Sequence, residues 1–144
     1  MTKILKAIES TLIVTIVFLI SFLGNVYFHE IGHFVAADSM GLNPKINIEP
    51  LENSLKFTTQ SQALAYTEFD KTETKSQMFF IAIMGPLVNL LLIIIFFMIY
   101  THYAHNPRIQ IVALAGLIPS IFSFIVNIIP FGVTDGMIIL TQIL

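Results

Sequence analysis

The chain has 144 residues, 56% of them hydrophobic and only 11% charged, less than half the share usual in soluble domains. Seven basic and nine acidic side chains leave a net charge of −2, which provides no electrostatic footprint for nucleic acid or anionic lipid. There is no cysteine, so disulfide frameworks, thiol nucleophiles and Cys-based zinc sites are excluded. A water-soluble globule is excluded as well. The class that remains is an α-helical multi-pass membrane protein, with residues 1–144 forming a single unit.

A bilayer-crossing helix needs roughly 20 apolar residues, and three stretches meet that length. The first runs from Leu12 to Val35. It follows Lys3 and Lys6 in the manner of a signal peptide, but signal-peptide cores are only about 7–15 residues long, so a retained span is predicted. Most of the charge, ten of sixteen charged residues, sits in the connection that follows, residues 38–77. Within it, Lys45 to Leu51 and Leu55 to Thr59 alternate apolar and polar residues around Asn53-Ser54, which predicts a small membrane-associated β-hairpin. Tyr66 to Lys75 reads as a surface linker.

The second span is predicted over Met78 to Tyr100 and the third over Ile109 to Ile129, joined by a turn at Asn106-Pro107. After a break at Pro130 to Thr134, residues 136–144 form a last apolar piece of only about 12 Å, a half-helix too short to cross. There is no internal repeat. Lys3, Lys6 and Arg108 on one side nearly balance Lys45, Lys56, Lys71 and Lys75 on the other, so basic residues alone do not set orientation.

Ionisable groups inside a span cost at least about 2.5–3.5 kcal/mol each on insertion scales, so each needs a reason. The first span carries three in Phe28-His-Glu-Ile-Gly-His-Phe34. This is H-E-x-x-H on a helix. His29 and His33, four residues apart, project from one face and can grip one metal ion. Glu30 lies about 100° further round the axis, beside such an ion without binding it, where it can take a proton from activated water. A lone histidine in an apolar helix is usually hydrogen-bonded structure. With four His and six Glu in the chain, however, this pattern should arise by chance only roughly 0.005 times. Gly32 keeps that turn slim enough for another helix to approach closely.

A catalytic zinc has three protein ligands and one open position, so a third ligand is required. His102 and His105 lie beside Tyr100 and Tyr103 and suit an interfacial position. Asp38, five residues past His33, points off the metal face. Asp135 is the best candidate: it is the only acid in the last 70 residues, set between apolar segments and followed by Gly136. A helix cap is the alternative reading of that aspartate.

His29-Glu-Ile-Gly-His33, Gly85-Pro-Leu-Val-Asn89 and Asn127-Ile-Ile-Pro-Phe-Gly-Val-Thr-Asp135-Gly136 resemble, in order, the three signatures of the site-2 protease family, peptidase family M50. These are intramembrane zinc metalloproteases, and the resemblance runs from the first span to the end of the chain. It implies one Zn2+ per chain held by His29, His33 and Asp135, with Glu30 as general base. Asn127 would lie near the metal and help steady the oxyanion, and Asn89 would position substrate backbone or pack the core. Gly85-Pro86 would be a point of close contact or a kink, and the hairpin would offer an edge to an extended substrate. There are departures: no PDZ domain is inserted, Met137 stands where a second glycine is frequent, and the proline-rich turn is reduced to Pro130-Phe-Gly-Val-Thr.

The implied function is hydrolysis of peptide bonds in membrane-spanning or signal-peptide-like helices near the membrane boundary. His29 lies about 17 residues, or ~25 Å, beyond Leu12, which puts the site near one face of a core about 30 Å thick. An intact helix hides its carbonyls, so the substrate must be locally unwound there. The implied partners are that substrate and the lipid bilayer, with an oligomer left open. The implied place is the cell membrane, with loop 38–77 on the cytoplasmic side. The rival readings are a catalytically inactive relative and a metal-binding or transport protein.

Overall fold

The computed structural model describes residues 3–48, 65–69, 74–132 and 134–144. Three long helices and a short one pack together, with a small antiparallel sheet lying against the first: α1 (Lys3–Ser39), β1 (Pro44–Ile48), β2 (Ala65–Phe69), α2 (Lys75–His102), α3 (Pro107–Ile128) and α4 (Asp135–Ile143). Ile8–Ser39, Lys75–His102 and Pro107–Ile128 are long and apolar enough to cross a membrane.

The packing is that of a membrane protein. Leu, Ile and Phe side chains cover the outside, among them Leu19, Leu23, Phe97, Met98 and Phe122. Apart from Ile81 and Leu42, the interior is mostly small or polar: Ala82, Gly85, Pro86 and Asn89 on α2, and Ala113, Ala115, Gly116, Pro119 and Ser120 on α3. Where lipid is as apolar as leucine, close backbone approach and interhelical hydrogen bonds hold helices together instead of apolar burial. A Cβ on Gly32 would lie 2.6 Å from the Met84 carbonyl oxygen and 2.9 Å from Val88 Cγ2. That glycine is therefore what lets α1 and α2 touch.

Local chemistry sets the helix ends. Thr74 and Gln77 form a reciprocal capping box at the start of α2, the Thr74 hydroxyl accepting from the Gln77 N–H. Asn106 caps α3, its side chain accepting from the N–H groups of Arg108 and Ile109, with Pro107 in the first turn. At the end of α1, Gly41 has φ +70°, and Leu42 N–H reaches back to Ala37 O while Gly41 N–H reaches Asp38 O. This is a Schellman stop, with Leu42 buried against Ala37. It carries α1 four residues beyond the predicted end at Val35, and all three spans differ from their predicted limits by a few residues.

A small two-stranded antiparallel sheet is present after the first helix, as predicted, and the strand that pairs with β1 was not among those predicted. β1 pairs with β2 so that Lys45 faces Glu68 and Ile46 faces Thr67. The strand predicted over Leu55 to Thr59 lies outside the described residues. The prediction of a surface linker from Tyr66 to Lys75 is corrected. Ala65, Thr67 and Phe69 alternate with Tyr66 and Glu68, and the strand packs on α1 with Tyr66 and Thr67 half-buried. Five residues of mixed polarity are too short a window for that alternation to stand out.

Candidate metal centre

The buried polar and charged residues of the described chain are Asn25, His29, Glu30, His33, Asn89, Ser120 and Asp135. Asn25, His29 and His33 repeat every four residues along one face of α1 with Glu30 beside them, and α2, α3 and α4 bring Asn89, Ser120 and Asp135 to that face.

Asp135 Oδ2 lies 3.0 Å from His29 Nε2, and Asp135 Oδ1 lies 3.3 Å from His33 Nε2. The two Nε2 atoms are 3.1 Å apart. The third residue singled out in the sequence is thus brought onto the H-E-x-x-H pair across more than 100 residues of chain. Asp135 is the first residue of α4, and the cap position belongs to Thr134, whose hydroxyl donates to Ile129 O at 2.6 Å. The capping alternative for Asp135 therefore falls away. Gly136 makes this approach feasible, because a Cβ there would collide with the Ile128 carbonyl.

The donor set fits a tetrahedral divalent ion. With ligands at about 2.0–2.1 Å, tetrahedral geometry sets ligand atoms about 3.3 Å apart, close to the three distances found here. The hydrogen bonds point the same way. His33 Nδ1 lies 2.7 Å from Ile81 O and, in the neutral ring, donates its proton to it, which leaves the Nε2 lone pair facing the carboxylate. Asp135 Oδ2 is buried and has no hydrogen-bond partner although His29 Nε2 is beside it. Two imidazole nitrogens and a carboxylate converging at these distances are what a cation satisfies.

Asn89 reaches the other side of His29. Its amide nitrogen is 2.9 Å from His29 Nδ1 and donates to Ser123 Oγ at 2.8 Å, while its Oδ1 is buried without a partner. A His29 that binds a cation through Nε2 carries its proton on Nδ1 and needs an acceptor there. Turning the Asn89 amide end for end supplies one. Gly85 completes the fit, since a Cβ on it would run into His33 Nε2 and stand 2.6 Å from His29 Cε1.

Glu30 sits next to the donor set, its carboxylate within 4.8 Å of the histidine nitrogens. Thr67 Oγ1 on β2 donates to Glu30 Oε2 at 2.8 Å. A cavity of about 240 Å3 opens over these groups, walled by His29, Glu30, His33 and Asp135 with Thr67 and Asn127 at its sides. Asn127 borders this space and donates to Ser123 O at 3.0 Å. The whole predicted set therefore borders the cavity or, in the case of Asn89, supports it from behind. His102, at the far end of α2 roughly 25 Å beyond Gly85, does not reach it. Asp38 is exposed.

Three residues of the site were not singled out in the sequence. Ser120 and Ser123 lie seven and four residues before Asn127, on one stripe of an otherwise apolar helix, and that spacing was a readable signal. Thr67 offered none, being one polar residue in a polar segment.

Residues 17–106, more than half of the chain, match the sequence model described as Peptidase family M50. That stretch contains His29, Glu30, His33 and Asn89 and stops short of Asn127 and Asp135, which join the set through their geometry. No curated protein and no solved structure matches the chain.

Proposed function

The chain belongs to peptidase family M50, a family of membrane zinc metalloproteases, and from that premise we propose that it hydrolyses peptide bonds in transmembrane or signal-peptide-like helices near a membrane boundary. The observation that carries the reading is the convergence of His29 Nε2 and His33 Nε2, 3.1 Å apart, on the Asp135 carboxylate, whose Oδ2 lies 3.0 Å from the first and Oδ1 3.3 Å from the second, with Glu30 alongside.

His29, His33 and Asp135 would hold one zinc ion, oriented by Asn89 behind His29 and the Ile81 carbonyl behind His33. When bound, zinc supplies Lewis acidity that acidifies water and polarises a carbonyl oxygen. Glu30 accepts the proton of the attacking water and delivers it to the departing amine. Thr67 holds one oxygen of that carboxylate, which fixes the plane in which the other meets the water. Asn127 borders the cavity with its amide nitrogen on Ser123 O at 3.0 Å and on Ser123 Oγ at 3.3 Å, and turning one N–H from Ser123 towards the cavity would offer it to the oxyanion.

A helical peptide bond has its carbonyl engaged, so the reacting segment must be extended. A cavity bordered on one side by a β-strand suits an extended chain, and Ala65 to Phe69 provide that wall. Loop 38–77 is assigned to the cytoplasmic side, where water reaches the carboxylate over a short distance.

The test is cleavage of a transmembrane peptide library by zinc-loaded protein in liposomes, read by mass spectrometry. Cuts clustered near one membrane boundary support the proposal. An intact library with zinc demonstrably bound contradicts it.

A further inference from the structure

A second cavity, of about 130 Å3, lies between α1 and α3 and shares Asn127 with the first. Its rim is apolar, formed by Phe22, Val26 and Phe122, and Phe122 is 59% exposed on the outer surface of the bundle. Its polar lining is Asn25, Ser123 and Asn127. Such a lining has no use for a lipid chain.

Asn25 is 3% exposed, and its orientation is fixed by its neighbours. Ser120 Oγ donates to Gly116 O at 2.8 Å, so its single proton is spent and it accepts from Asn25 Nδ2 at 2.5 Å. Oδ1 is therefore turned away from Ser120, and it is buried with no partner. An acceptor left unpaired in apolar surroundings is destabilising, and a donor that reaches it through the cavity Asn25 lines would relieve that. Acyl chains carry no such donor at this depth.

Asn25 is one helical turn from His29, about 6 Å along α1. An extended peptide advances about 3.3 Å per residue, so the cavity lies about two residues from a bond being cut at the metal centre. We infer that this cavity is a specificity subsite, resting on the protease reading, which takes a hydrogen-bond-donating side chain (Asn, Gln, Ser or Thr) two residues from the scissile bond of a transmembrane substrate, with Asn25 Oδ1 as its acceptor. Polar residues that weaken a substrate helix are thereby also the ones the enzyme recognises. Asn25 acts on substrate choice and lies outside the set that holds metal and moves protons.

The experiment uses a Leu/Ala transmembrane peptide with one Gly-Gly pair near its end, carrying a single Asn or Leu at each successive position around that pair. In nanodiscs, zinc-loaded wild-type protein is expected to cleave the peptide with Asn two residues from the cut bond about tenfold faster in kcat/KM than its Leu counterpart. Asn25→Leu should erase that preference while leaving cleavage of the Leu peptide unchanged. Asn25→Ala serves the same purpose if Asn25→Leu loses its zinc. Equal preference in wild type and variant, or no positional preference in wild type, overturns the subsite. Binding of the same peptides to Glu30→Gln, followed by energy transfer, separates the two ideas. An Asn preference in binding that depends on Asn25, without any cleavage by wild type, upholds the subsite and defeats the proteolytic reading. Its absence in binding overturns the subsite.

Discussion

Thr67 Oγ1 donates a 2.8 Å hydrogen bond to Glu30 Oε2, joining the sheet to the carboxylate that lies beside His29, His33 and Asp135. One oxygen of Glu30 is thus tied to β2, and the carboxylate is held in one plane. Thr67→Val keeps the shape and β-propensity and removes the hydroxyl. It is expected to lower kcat about tenfold, or about 1.4 kcal/mol, with zinc content and KM little changed. An unchanged kcat would mean that Glu30 is oriented by something else.

Asn89 is assigned the task of fixing the His29 ring from behind. Asn89→Leu leaves Nδ1 of His29 without its buried partner and should weaken zinc affinity by about 10–100-fold, as loss of such outer partners typically does. Competition with a fluorescent chelator measures this. A wild-type affinity would assign Asn89 to packing alone.

Gly85→Ala tests the closeness of α2 to the two imidazoles. Because the added methyl would run into His33 Nε2, the rings must move apart or α2 must withdraw. Either way zinc stoichiometry should fall well below one per chain while the protein still inserts in membranes, and full stoichiometry would show the cleft to be looser than described.

Asp135→Ala removes one of three donors and should cost most of the bound zinc. Stripping the wild type with a chelator should abolish cleavage, and adding zinc should restore it. Asp135→Ala retaining full zinc with normal affinity would remove Asp135 from the donor set.

Much of this site was legible in the sequence for a physical reason. In an apolar chain a polar side chain must have a partner, so His29, Glu30, His33 and Asp135 stand out against their surroundings. Close approaches were legible too, since Gly32 and Gly85-Pro86 have no other use in a span. The end of α1 was misplaced because hydropathy fades before the helix does, while the true stop is Gly41 in a left-handed turn. β2 was missed because its alternation is short and its residues are polar, and with it went Thr67. A partner supplied by tertiary contact, as Thr67 is to Glu30, leaves no mark on local pattern. Asn25, by contrast, stood four residues before His29 in plain view, and only its unpartnered oxygen gives it a role.

The central claim is that this donor set holds a metal for Glu30 to use. It is tested most directly by measuring zinc content and transmembrane-peptide cleavage together in Glu30→Gln. The account predicts one zinc per chain, as in the wild type, with cleavage reduced at least about a hundredfold, the scale of a lost general base. Zinc retained with cleavage undiminished would contradict it.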